Sequence, residues 1–276
     1  MKYILQCEDS IEGIFSAVYA AWELKYGHEN TILQVLGTEQ HNLELFSSYI
    51  PLETDKEKAE KVINTIRRIC SDDVYECLFR AACSDASDKA DAIYRYVRVA
   101  LVMGKNVRNH LTDPAVVRIM ELSRAVGNAE HHYLGFLRFI EIQGNILLAR
   151  FSPKPRLVEL IMPHFADRFQ EERFVIWDTA RNEAGIHVPG KGTMMLKLTQ
   201  KQAAILQQYT EDSQQTEDMW TTFVESISIK ERENKKLQRN NIPLHFRTYM
   251  PEFQKKEANL HEKNKNYPIS DESGFI

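Results

Sequence analysis

The residues best suited to chemistry lie between Ile229 and Lys256, where Lys230, Arg232, Lys235, Lys236, Arg239 and Arg247 meet few acids. Asn234, Gln238, Asn240 and Asn241 add amide groups, and His245, Phe246 and Tyr249 add flat rings. Cations neutralise phosphates, amides read base edges and rings stack on unpaired bases, so this composition suits a nucleic-acid surface. The same residues also suit a solvated helix followed by a loop. A second polar group comprises Arg138, His164, Arg168, Arg173, Asp178 and Arg181. These side chains would line a pocket if the strands that carry them pair, and Asp178 with Arg181 would equally make a structural ion pair at a strand end.

Other chemistries find little support. Glu130-His131-His132 holds adjacent imidazoles, which in a strand would face opposite ways, and no His-Glu-x-x-His run exists. The chain has no Gly-x-Ser-x-Gly elbow and no glycine cluster with a Lys-Ser pair to cradle phosphate. No metal and no cofactor is expected. Cys7, Cys70, Cys77 and Cys83 follow neither a zinc nor an iron–sulfur spacing and read as reduced thiols, as in a reducing cytoplasm.

The elements that must position these groups follow from periodicity. Tyr3 to Gln6 predicts a strand, Glu8 to Ser10 a turn, and Ile11, Ile14, Phe15, Val18, Tyr19 and Trp22 a helix stopped at Gly27. The next hundred residues predict helices. One is capped by a Thr54–Glu57 box, one starts at Asp72 or Asp73, one at Asp88, and one runs from Asp113-Pro114 to Gly127-Asn128. From Gly135 the pattern changes to a hairpin turning at Gly144-Asn145, then a helix over Pro155–Phe169 with Pro163 inside. Strands at Arg173–Asp178 and Ala184–Val188 complete it. Hairpins around a helix predict a small β-β-α-β-β antiparallel sheet. Pro189 to Gly192 reads as a loop, Thr199 with Gln202 caps a further helix, and Trp220, Phe223, Val224 and Ile227 predict another. The expected fold is α+β, with a helical N-terminal half over 1–128, an α+β core over 129–253 and a polar tail, flexible or loosely docked, over 254–276.

The chain has 276 residues, 43% hydrophobic, with a net charge of −4, enough for a real core and too acidic overall for a globally basic nucleic-acid binder. No apolar run approaches the roughly 18 residues that span a bilayer, and the N-terminus lacks the basic start and apolar stretch of an export signal, so a cytoplasmic protein is expected. The sequence leaves the oligomeric state open.

Three blocks in the second half carry a resemblance: Glu130 to Phe139, Pro163 to Phe169 followed by Phe174 to Arg181, and Ile229 to Arg239 continuing through Ile242-Pro243 and Tyr249-Met250-Pro251-Glu252-Phe253. In this order they resemble a bacterial family described as probable DNA metabolism proteins, of unknown function. The opening strand, turn and helix are also similar to that family. The resemblance implies a role in DNA modification or repair beside a radical-SAM protein, which is often encoded next to such proteins. Some relatives continue after the Pro-Glu-Phe block into a uracil-DNA glycosylase domain, and that activity is not expected here. The family supplies no established catalytic residues.

The expected function is therefore a nucleic-acid-binding accessory protein acting with a radical-SAM partner. Its grip would be Lys230, Arg232, Lys235, Lys236, Arg239 and Arg247, with Phe246 or Tyr249 stacking on a base, and Arg138, His164, Arg168 and Arg181 lining an adjoining groove. Two alternatives stand beside it: an enzyme on a nucleic acid or nucleotide, using Asp178, His164 or Glu231 as acid or base, and a protein-binding subunit docking through apolar helix faces.

Overall fold

The computed structural model describes residues 1–37, 45–211, 221, 222, 224, 226–229 and 234–253. The tail, Lys230, Arg232, Glu231, Trp220 and Phe223 lie outside these residues. The chain divides into two compact units, Met1–Glu130 with Lys154–Leu157, and His131–Pro153 with Val158–Ile276. Among the described residues, no helix is long and apolar enough to cross a membrane.

The first unit starts from β1 (Lys2–Cys7), whose Ile4, Leu5 and Cys7 are buried. The chain then turns through Glu8 and Asp9 into α1 (Ile11–Glu23). Ser10 caps this helix, its Oγ accepting from Gly13 N at 3.0 Å, which satisfies one of the free amides of the first turn. A side chain at position 13 would put its Cβ 2.6 Å from Glu8 O, so the turn requires glycine there. The expected strand, turn and helix are thus present.

The first half is less purely helical than its sequence predicts. β2 (Thr31–Val35) and β3 (Ser47–Pro51) both pair parallel with β1, in the order β2-β1-β3. Five-residue strands, one of them carrying two serines and a proline, give little local signal; pairing with the buried β1 holds them. The helices that follow are α2 (Lys56–Ile69), α3 (Asp72–Cys83), α4 (Lys89–Met103) and α5 (Pro114–Phe136). One cap shifts by a residue from expectation: Asp55 rather than Thr54 caps α2, accepting from Lys58 N at 3.1 Å. α3 starts at Asp72 as expected, capped by Ser71, which accepts from Val74 N at 3.3 Å. Phe15, Leu33, Ile66, Leu78, Ile93, Tyr94 and Ile119 are the heart of this unit's core. All four cysteines are buried, and none is in a disulfide. Cys70 follows the end of α2 at Ile69, and Cys77 lies within α3.

α5 does not stop at Gly127-Asn128 but continues to Phe136. Gly within a helix costs only about 1 kcal/mol relative to Ala, and buried Val126 and Tyr133 on either side offset that cost. His131 and His132 therefore lie on a helix rather than a strand.

The second unit is built on a five-stranded sheet, β4 (Phe139–Ile142), β5 (Ile146–Phe151), β6 (Arg173–Asp178), β7 (Glu183–Val188) and β8 (Gly192–Lys197), paired in chain order. The β4–β5 hairpin turns through Gly144 and Asn145, at φ 84° and 56°. The sheet is mixed, which corrects the antiparallel expectation. The helix α6 (Val158–Arg168) returns the chain after β5, so β6 runs parallel to it, and the other pairings are antiparallel. The Pro189–Gly192 loop is a hairpin turn into a fifth strand, exposed along its length and so without the alternation that marks a half-buried strand.

α6 crosses one face closely enough that a Cβ at Gly185 would strike Met162 and Val158. On the other face, Ile140, Leu148 and Trp177 meet Ala203 and Leu206 of α7 (Gln200–Glu211). Thr199 and Gln202 form the expected reciprocal cap of α7, at 2.9 and 3.4 Å.

Candidate nucleic-acid interface

The described part of the basic segment is a short helix, α8 (Lys235–Asn241), followed by a 3₁₀ helix over Leu244–Tyr249. Asn234 caps α8, its side-chain oxygen accepting from Leu237 N at 2.9 Å. The amide expected to read bases thus starts a helix instead. Lys235, Lys236 and Arg239 all project into solvent. Among the described residues none of the three pairs with a carboxylate. Lys235 and Arg239 are four residues apart and share a face of the helix.

Three aromatic side chains bind the segment into the second unit. Phe246 is 8% exposed, with ring centroids at 5.2 Å from His132, 4.9 Å from Tyr133 and 5.3 Å from Phe136. It is a core residue and presents no free face to a base, contrary to the stacking role expected of it. Tyr249 is half-buried; its hydroxyl lies 2.9 Å from Thr179 Oγ1, and the Arg150 guanidinium sits over its ring at 5.6 Å. Phe253 is buried beneath Arg247, whose guanidinium lies 4.5 Å from the ring centroid. Arg247 also donates from Nε to Ile242 O at 3.0 Å. Arg247 is therefore an internal strut of this segment rather than an extended phosphate grip. Lys230 and Arg232 lie outside the described residues.

The second polar group separates into distinct pieces. Asp178, at the end of β6, is fully buried. Its carboxylate accepts from Ala180 N at 2.9 Å, Arg181 N at 3.2 Å and Arg181 Nη1 at 2.9 Å, while the same Nη1 also donates to Pro153 O at 3.0 Å. Arg138 is bound to Glu252, donating from Nε and Nη2 to Oε1 at 3.1 and 2.8 Å, and its Nη1 donates to Gly135 O at 3.0 Å. His164 and Arg168 are exposed on α6, one turn apart, with the Arg168 guanidinium 5.6 Å from the Phe169 ring.

Glu252 and Thr179 are structural partners that residue type alone does not single out; their signal is membership of the Pro-Glu-Phe and Trp-Asp-Thr-Ala-Arg blocks. Tyr133, beneath Phe246, has its phenol pushed up to about 12, first by burial and then by the nearby Asp178 and Tyr249 oxygens.

His131 is exposed and His132 stacks on Phe136 at 5.6 Å. Among the described residues no three His, Cys, Asp or Glu side chains are grouped to hold an ion.

A family model described as a domain of unknown function, DUF4130, matches residues 87–252, a span that includes the five-stranded sheet and the basic segment as far as Glu252. No curated protein matches the sequence. Among solved structures, a DHH-domain chain described as a member of a family of ribosomal proteins aligns at 8% identity over 68% of this chain and 74% of its own. The TM-score is 0.38, too low to carry an argument.

Proposed function

Since the chain belongs to the DUF4130 family, whose described function is open, we propose that it is a nucleic-acid-binding accessory protein, read from its own cationic residues, in DNA modification or repair, which the resemblance in the three sequence blocks implies. The observation that supports this most is the pairing of three exposed cations, Lys235, Lys236 and Arg239, with a following segment anchored in the second unit by buried Phe246 and Phe253 and half-buried Tyr249. Lysine and arginine side chains that neutralise phosphates release the counterions condensed on the nucleic acid, and that release drives association. The anchors Phe246, Tyr249 and Phe253 fix the chain that follows α8, so less of the segment has to be ordered on binding.

The radical-SAM protein is the proposed partner, and its support is the resemblance in the three sequence blocks. Base stacking has no place in this reading, because Phe246 is buried and Tyr249 is bound to Thr179. The grip is read as one on the phosphate backbone. The enzyme reading gains nothing from the geometry: Asp178 is buried and bound to three donors, while His164 lies exposed on α6.

The test is fluorescence anisotropy of a labelled DNA duplex and a single strand, titrated with the full chain over a range of salt, with and without the radical-SAM protein. Three phosphate contacts give a log–log slope of about −2.7 on duplex. Absence of binding at low salt, with the partner present, overturns the proposal. Association with the partner that survives high salt and nuclease treatment, without any DNA binding, points instead to a protein-interaction subunit.

A further inference from the structure

Two neighbouring clefts in the first unit share a wall. The smaller, about 220 Å³, is mostly apolar and is formed by Val18, Val62, Ile66 and Val97 from α1, α2 and α4. The larger, about 790 Å³, is lined by His28, Arg95, Arg98 and Val102 among others and lies within the size range of small-molecule sites. Trp22 and Leu101 line both. An apolar recess therefore opens beside a chamber that carries two guanidinium groups.

We propose that this paired cleft binds a small organic anion with an apolar body, its ring or short chain in the smaller recess and its carboxylate or phosphate on Arg95 and Arg98. Leu101, which borders both recesses, and Arg98 are three residues apart on α4 and so lie on one face of that helix. Both arginines have donors to offer. Arg95 gives its Nε to Asp91 at 2.6 Å, and Arg98 gives Nη2 to Glu29 at 2.8 Å. A guanidinium has five N–H donors, and one is used in each of these pairs.

The carboxylate end of the Arg98 pair is readily replaced, because the Glu29 side chain is 83% exposed and such pairs are weak in water. The other acid in the larger cleft, Asp113, already accepts from Ala115 N at 2.8 Å in the first turn of α5. The aromatic end of the chamber is rigid. The His28 Nδ1 lies 2.6 Å from the Tyr94 hydroxyl, and Trp22 packs edge-on to both rings, at 5.1 and 5.3 Å.

The probes are 2-naphthoate and 1-naphthyl phosphate, with 2-naphthalenemethanol and acetate as neutral and headgroup-only arms, measured by calorimetry on the full chain. Both naphthyl anions are expected to bind with Kd of about 1 mM or tighter, and the alcohol and acetate at least about tenfold more weakly. The double variant Arg95→Gln, Arg98→Gln is expected to lose about tenfold in affinity for the anions. Val102→Glu, at an exposed position on the chamber wall, is expected to weaken them through charge repulsion while keeping the melting temperature of the parent chain. Lack of binding by either anion at about 10 mM, equal affinity for the alcohol, or full affinity in the folded double variant overturns the proposal.

Discussion

Asp178 and Arg181 stand three residues apart and close a 2.9 Å ion pair whose carboxylate end is wholly buried. Two backbone amides, Ala180 N and Arg181 N, complete the set of donors, so β6 ends in a locked turn that leads into β7. The pair belongs to the framework under the basic segment, since the neighbouring Thr179 holds Tyr249.

Removing the carboxylate exposes the worth of this turn. Asp178→Ala leaves two amides and part of a guanidinium without acceptors and is expected to cost about 3 kcal/mol, discounted from a fully buried pair because Arg181 is a quarter exposed. Urea unfolding at neutral pH measures it, and a loss below about 1 kcal/mol would reduce the pair to a surface contact.

The second expected effect concerns packing. Gly185 on β7 lies directly under Met162 of α6, which is buried. Gly185→Val must push that side chain aside and is expected to destabilise the protein by about 1–3 kcal/mol. Met162→Ala should recover part of the loss in the double variant. An unchanged denaturation midpoint for the single variant would show that α6 is not seated on the strand as described.

Buried thiols give a pH signature. Burial pushes Cys7 up from an ordinary 9.0 to about 12, the nearby Asp9 adding to the shift, and burial also raises Cys70 and Cys77. A thiol held protonated only in the folded state contributes stability that is complete below about pH 9 and declines as pH rises toward 12. Alkaline unfolding should therefore move to higher pH in Cys7→Ala, measured against its own neutral-pH stability. Iodoacetamide at pH 8 should label Cys7 only on unfolding, and rapid labelling of the native chain would contradict its burial.

Much of the architecture was legible where a local pattern coincided with a buried face. Ile11, Ile14, Phe15 and Val18 mark α1 because one stripe meets the sheet, and the β6 and β7 strands show as apolar runs around a turn. What escaped was set by distant partners. Thr31–Val35 and Ser47–Pro51 are strands because β1 pairs with both, and nothing local announces it. The parallel β5–β6 pairing depends on where α6 returns the chain. α5 continues through Gly127 because residues further along, Tyr133 above all, are buried.

The candidate site divides the same way. Residue type was enough to mark Lys235, Lys236 and Arg239 as charges to be solvated. It could not show that Phe246, in the same stretch, turns inward on a 3₁₀ helix, or that Arg138 is held by Glu252 from more than a hundred residues along the chain. An arginine or an aromatic ring reads alike as ligand grip or structural strut until its neighbours are known.

The most direct measurement is duplex DNA binding at low salt by the triple variant Lys235→Glu, Lys236→Glu, Arg239→Glu beside the parent chain, with circular dichroism confirming that both are folded. The expected result is a loss of at least about 100-fold in affinity, with the residual binding less dependent on salt by roughly one unit of slope for each lost contact. Equal binding by the two proteins, with the same salt slope, would contradict the proposed phosphate grip and remove α8 from any account of function.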